Sequence, residues 1–243
     1  MFLAKYTFYP DFRLIPASGF LDQHCWPFVS ALAKGGQFMA HGYFVSNRAR
    51  ISYFSTCAER TSLSPRFHFA WARRNYKRLL RYSRRQPRVE LAGRVLDEKP
   101  CCACRCKTDL VLTSNFLSIT SPLKCTQCAS YVPIYRFRSL SEENLQGIDS
   151  WQEAYDRFDG LFIGSGVGEH FSYNQLSSIK SPLTKDGLML CRALERQLKI
   201  RVYYDLNVHY GRSLRAETKR RCPRCNSNWL LKNRWLERKL PLN

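Results

Sequence analysis

The sequence predicts an α+β protein in which two small α/β units flank a central cysteine-rich ribbon, with a further C-x2-C knuckle near the C-terminus. Three observations lead there. Apolar residues alternate at period two in some stretches and recur at helical spacing in others, on both sides of residue 100. Six of the eleven cysteines crowd between Cys101 and Cys128. The last pair, Cys222 and Cys225, stands alone in a basic tail. The expected divisions are 1–95, 96–140, 141–211 and 212–243.

Residues 1–8 alternate and then meet Pro10, which reads as a first strand rather than as a signal peptide. A helix is expected over 20–32, stopped by Lys34-Gly35-Gly36. A hairpin follows over 41–53, turning at Ser46-Asn47-Arg48. The next helix, 67–82, has Ala72, Tyr76, Leu79 and Leu80 on one stripe, and Pro87 closes the segment. Its other faces carry Arg73, Arg74, Lys77, Arg78, Arg81, Arg84 and Arg85, with no acid between Trp71 and Arg88.

Beyond residue 96, Leu110-Val111-Leu112 and Tyr131 to Tyr135 are β-prone. Ser150 and Glu153 fit a capping box, with Trp151, Tyr155 and Phe158 on the helix's inner face. Gly160 to Ile163 reads as a buried strand entering the glycine-rich turn Gly164-Ser165-Gly166-Val167-Gly168. Leu190, Cys191, Leu194 and Leu198 make another amphipathic helix, followed by a strand over 200–204.

Lys and Arg total 39 against 19 Asp and Glu, a net charge of +20 in 243 residues. Such a field attracts polyanions, nucleic acid foremost. No run approaches the roughly 18 apolar residues of a membrane helix. A cytoplasmic protein is expected, and in a reducing compartment clustered cysteines point to metal rather than to disulfides. Cys125-Thr126-Gln127-Cys128 is one C-x2-C, and Cys101 with Cys104 forms another, with twenty residues between Cys104 and Cys125. Two such turns aim four thiolates at one Zn²⁺, closing a structural site. Cys101 and Cys104 match the spacing best; Cys104 with Cys106 is an alternative, and Cys102 could substitute.

Cys222 and Cys225 are a second knuckle in form, but no cysteine or histidine follows, so any further ligands would come from elsewhere, such as His209, or from another chain. Lys219, Arg220, Arg221 and Arg224 surround it, and with the arginine-rich helix they are the expected nucleic-acid contacts. Tyr203, Tyr204 and Tyr210 are candidates for base stacking. Cys25, Cys57 and Cys191 read as small core residues. The glycine turn matches neither the P-loop nor GxGxxG, Glu169-His170 beside it has no nucleophile, and catalysis is not expected.

Ser121 to Cys128, Val132 to Arg136, Ile163 to Glu169, Leu190 through Glu195 and Val202-Tyr203-Tyr204 together resemble a bacterial family catalogued as zinc-ribbon-containing and nucleic-acid-binding, of unknown function. The resemblance implies zinc at the matching cysteines and nucleic acid as partner. The chain departs from that family by lacking a second cysteine pair after Cys225. It also has Arg105, Ala129 and Asn226 where Gly usually follows a knuckle. The expected function is that of a non-catalytic zinc-ribbon protein that binds nucleic acid, DNA or RNA without sequence preference, through its basic surfaces. The rival is a protein-interaction module, an inhibitor or immunity-like partner of an acidic protein.

Overall fold

The computed structural model describes residues 1–39, 42–47, 49–95, 101–104, 108–117 and 120–207, with positions 216, 219, 221–222 and 226. The architecture is mixed α+β, with two sheets among the described residues. The chain divides into two compact units. One comprises Met1–Ala103, Ile119–Leu123 and Ser130–Gln146; the other comprises Cys104–Ser118, Lys124–Ala129 and the chain from Gly147. The residues expected as a separate ribbon, 96–140, are thus shared between the two.

In the first unit, β1 (Phe2–Phe8) forms where alternation placed it, with Ala4, Tyr6 and Phe8 buried. The helix after it starts earlier than expected. α1 (Ala17–Phe20) passes through a π-helical turn at Leu21–Cys25 into α2 (Trp26–Lys34). It stops at the glycine pair, where Gly36 takes a left-handed φ of 71° and the Gln37 N–H reaches the Leu32 carbonyl at 2.8 Å. The hairpin is β2 (Tyr43–Ser46) and β3 (Ile51–Cys57), and Asn47 Oδ1 accepts the N–H groups of Ala49 and Arg50 at 3.0 Å each.

α3 (Ala70–Leu80) is shorter than the expected 67–82, because Pro65–Phe67 forms a separate 3-10 turn before it. Ala72 and Leu79 of its stripe are buried; Tyr76 and Leu80 are half-buried. β4 (Arg88–Arg94) has no sequence signal of its own, since most of its residues are exposed, and forms by pairing with β1. The sheet order β2-β3-β1-β4, with antiparallel neighbours, makes this a β-α-β-β-α-β arrangement. One sheet face is filled: Tyr6, Phe8, Ile51 and Tyr53 share a core with Phe28 and Leu32 of α2 and Leu79 of α3.

The β-prone run Tyr131 to Tyr135 does not become a strand. Pro133 has no N–H to give a ladder, and Ile134–Arg136 turns instead as a 3-10 helix. Tyr135 is fully buried there. Its hydroxyl donates to the Glu59 carboxylate and accepts from Ser62 Oγ at 2.9 Å.

The second sheet consists of β5 (Leu110–Leu112), β6 (Leu123–Cys125) and β7 (Val202–Tyr204), in the order β6-β5-β7, with β5 and β7 parallel. Two expectations are corrected by α4 (Glu142–Gly164), one continuous helix. Ser150 lies in its interior and caps nothing at its start. The N-terminal serine is Ser141, whose Oγ accepts the Asn144 N–H at 3.2 Å. Gly160 to Ile163 is the helix's end rather than a strand. Leu145, Ile148, Trp151, Tyr155, Asp159 and Phe162 are buried at intervals of three and four, and this longer period overrides the short apolar run.

α5 (Glu169–Ser177) follows, then α6 (Pro182–Leu198), capped by Ser181 Oγ on the Thr184 N–H at 3.1 Å. Leu190, Cys191 and Leu194 of α6 are buried, as their spacing indicated, and so are Cys25 and Cys57. Ser114 Oγ donates to Asp156 at 2.6 Å, and the Phe116 N–H donates to Asp159 at 3.0 Å, pinning the segment after β5. Among the described residues, no helix is long and apolar enough to cross a membrane.

Gly187 in α6 offers a test of this packing. Gly→Ala inside a helix ordinarily gains up to about 1 kcal/mol. Here a Cβ would fall 2.1 Å from the Tyr204 ring and 2.7 Å from Trp151 Nε1. Overpacking costs about 1–3 kcal/mol, so Gly187→Ala is expected to lower stability in urea unfolding.

Candidate metal centre

β5, β6 and the turn after β6 bring sulfur atoms together. The Thr126 N–H and hydroxyl both donate to the Asp109 carbonyl at 3.0 Å, holding the cysteine turn against the start of β5. The turn closes as the Ala129 N–H reaches the Cys125 carbonyl at 2.9 Å, with Ala129 at φ 57°. An alanine in this left-handed region costs energy that glycine avoids, yet the turn adopts it. Cys102 is buried, its N–H donating to the Tyr131 carbonyl at 2.8 Å and its own carbonyl accepting from Arg136 Nη1 at 2.6 Å.

The sulfurs of Cys102, Cys104, Cys125 and Cys128 lie within 4.8 Å of one another, and those of Cys104 and Cys125 are 3.8 Å apart. A tetrahedron of thiolates with metal–sulfur bonds of about 2.3 Å has edges of about 3.8 Å. The set could therefore hold one metal ion. Burial alone would push the Cys125 thiol up. Hydrogen bonds from Thr108, whose Oγ1 lies 3.2 Å away, and from the Cys128 and Gln127 backbone and the Cys128 side chain outweigh it, lowering the pKa to about 7. Ionisation near neutrality is what a metal ligand requires.

This set differs at one position from the spacing-based first choice, which took Cys101 with Cys104. Cys102 supplies the fourth sulfur. Cys101 instead lies 3.4 Å from Arg136 Nη2, the atom that also meets Glu59 Oε1 at 2.7 Å. Cys106 lies outside the described residues. Sequence reasoning gave Thr108, Glu59 and Arg136 no role at the site, because nothing local marks a residue whose partner is about 17 to 77 positions away.

At the C-terminal knuckle, Cys222 is half-buried, and the Asn226 N–H donates to its carbonyl at 2.8 Å with Asn226 at φ 57°. These values repeat the turn at Cys125 and Ala129. Cys225, His209, Tyr210, Arg220 and Arg224 lie outside the described residues. Lys219 and Arg221 are exposed, and Arg221 Nη1 donates to the Asn226 carbonyl at 3.3 Å.

On and after α3, all seven basic residues are exposed, but they are not equivalent. Arg74 pairs with Glu142 at 2.8 Å, Arg84 lies 3.9 Å from Asp11, Arg73 donates to the His68 carbonyl, and Arg85 stacks 3.7 Å over the Tyr9 ring. Among the described residues no ion pair is seen for Lys77, Arg78 or Arg81. Tyr204 packs edge-on against Trp151, 5.8 Å between ring centroids, and is half-buried like Tyr203. Gly164 to Gly168 joins two helices, so the strand that a phosphate-cradling loop requires is missing.

Residues 105–207 match the model of a domain of unknown function (DUF2310), and residues 211–238 match a second such domain (DUF8594). Two uncharacterized proteins of Haemophilus influenzae are similar to the chain, each 32% identical over 123 residues, or 51% of its length. The chain spans 47% of one and 61% of the other. No solved structure matches.

Replacing Cys102 by Ser is expected to lower the metal content of the purified protein by one ion per chain, while Cys101→Ser leaves it unchanged; elemental analysis decides between the two cysteines. In metal-free protein the depressed Cys125 thiol stabilises the fold above the usual thiol pKa of about 9, and that contribution is lost as pH falls through about 7. Thr108→Val removes one of the bonds responsible. It is expected to slow alkylation of Cys125 at pH 7.5, followed by peptide mass spectrometry.

Proposed function

We propose that the chain is a non-catalytic zinc protein that binds nucleic acid through its basic surfaces. The convergence of Cys102, Cys104, Cys125 and Cys128 carries the metal half of this reading. Four thiolates are a soft, tetrahedral donor set that suits Zn²⁺. They leave no open coordination position, so the ion would hold the chain in shape and have no part in chemistry.

The nucleic-acid half is supported by the net charge of +20 and by Lys77, Arg78 and Arg81, which face solvent at the end of α3. The pair at Arg74 weakens the contribution of that residue only slightly. An exposed ion pair is worth about 0–1 kcal/mol and exchanges readily for a phosphate. Phosphate contacts of this kind position a chain without reading sequence.

The combined variant Lys77→Glu, Arg78→Glu and Arg81→Glu is expected to weaken binding of a fluorescent 20-nucleotide strand by at least about tenfold at 50 mM salt, with zinc content unchanged. Wild-type affinity should also fall steeply between 50 and 200 mM salt. Unchanged affinity in the variant removes the helix from the interface. Absence of wild-type binding at 50 mM overturns the nucleic-acid reading and leaves the metal site standing.

A further inference from the structure

We propose that the open face of the four-stranded sheet is a platform for single-stranded nucleic acid, with Tyr43 and Phe54 as its stacking surfaces. This rests on the nucleic-acid reading above and adds to it the form of the strand and the place where it lies.

The registers assign the side chains to the two faces. Tyr43 is opposite Phe54, Phe54 is opposite Lys5, and Lys5 is opposite Glu90, so these four form one row across β2, β3, β1 and β4. Residues directly opposed in an antiparallel pair project on the same side. The neighbouring row is Val45, Ser52, Thr7 and Arg88. Tyr6, Phe8, Ile51 and Tyr53 occupy the alternate positions and belong to the core with α2 and α3. The row of Tyr43 therefore lies on the face away from the helices.

That face is aromatic and basic together. Tyr43 is 79% exposed and Val45 56%, Phe54, Lys5 and Glu90 are half-buried, and the small Thr7 and Ser52 are buried. Lys5 Nζ stands 5.8 Å from the centre of the Phe54 ring and 4.0 Å from Glu90, which also meets Arg88 at 3.2 Å. Glu90 is the one acid in these two rows. Residues 1–95 as a whole carry sixteen Lys and Arg against four Asp and Glu. Charge complementarity thus selects a polyanion as occupant, and the charged residues set among the aromatics disfavour a purely apolar partner.

Tyr43 gains little from burial where it stands, yet its position is held firmly. The Gly42 N–H donates to the Tyr53 hydroxyl at 2.9 Å. A Cβ at Gly42 would fall 2.1 Å from the Phe54 carbonyl oxygen, so only glycine lets the backbone press this close to β3. A ring presented in this way, with an aromatic neighbour one strand away and a cation beyond it, suits bases that stack. Only unpaired bases can reach it. In a duplex the base faces are already stacked on one another, whereas a single strand can splay them onto a sheet.

The test uses the full chain, a labelled 12-nucleotide oligothymidylate, its oligouridylate counterpart, and a 12-base-pair duplex. The single strands are expected to bind at least tenfold more tightly than the duplex. Tyr43→Ala should weaken single-strand binding by about tenfold, the loss of one stacked base, with an unchanged thermal midpoint because the side chain is exposed. Tyr43→Phe should retain binding. Phe54→Leu keeps apolar bulk without the aromatic face and should also weaken it.

Equal binding of duplex and single strand overturns the inference. So does wild-type affinity in both Tyr43→Ala and Phe54→Leu. If only the α3 charge reversal weakens binding, the sheet platform falls while nucleic-acid binding stands. If wild type binds none of the three probes, both fall together.

Discussion

Four cysteine sulfurs within 4.8 Å of one another are the constraint on which the middle of this chain depends. The Cys104–Cys125 separation of 3.8 Å is too long for a disulfide and suits the edge of a thiolate tetrahedron. The magnitudes make such a site decisive. Structural zinc in small modules is worth about 10–16 kcal/mol, whereas a whole domain is stable by about 5–15 kcal/mol. Strands β5 and β6 are buried but have only three residues each, so their ladders are short. With zinc bound as proposed, the ion would tie together strands whose ladders are this short.

Support around the sulfurs is polar and specific. Thr108 favours the ionised Cys125, the left-handed Ala129 closes the turn, and Arg136 holds the Cys102 carbonyl while bridging to Glu59. Glu59 also receives the hydroxyl of the buried Tyr135, so the segment after the cysteine turn is anchored through partly buried groups. Such networks are stiff when every member is satisfied. The turn at Cys222 and Asn226 repeats the local geometry.

Charge illustrates how folding changes what a local reading implies. No acid lies near Arg74 or Arg84 in sequence, yet Glu142 and Asp11 reach them in the fold. The single-signed helix is therefore partly neutralised by residues 68 and 73 positions away, and its free positive character concentrates at Lys77, Arg78 and Arg81. The sheet is divided just as sharply. One face is consumed by the helices, and the other keeps Tyr43, Val45 and Arg88 exposed beside the half-buried Phe54 and Lys5.

What the sequence determined by itself was local. Period-two alternation placed β1 and the hairpin, helical spacing placed α3 and α6, the glycine pair ended α2, and the C-x2-C spacing made a turn that could present thiolates. The tertiary structure decided the rest. It formed β4 from a weak sequence because β1 offered an unpaired edge. It extended α4 through Gly160 to Ile163, where six buried residues at helical intervals outweighed four apolar ones. It also chose between the adjacent Cys101 and Cys102. Neighbouring side chains on a non-helical segment leave the backbone in different directions. Which one faces the cluster was set by hydrogen bonds to Tyr131 and Arg136, about thirty residues away, and no spacing rule contains that information.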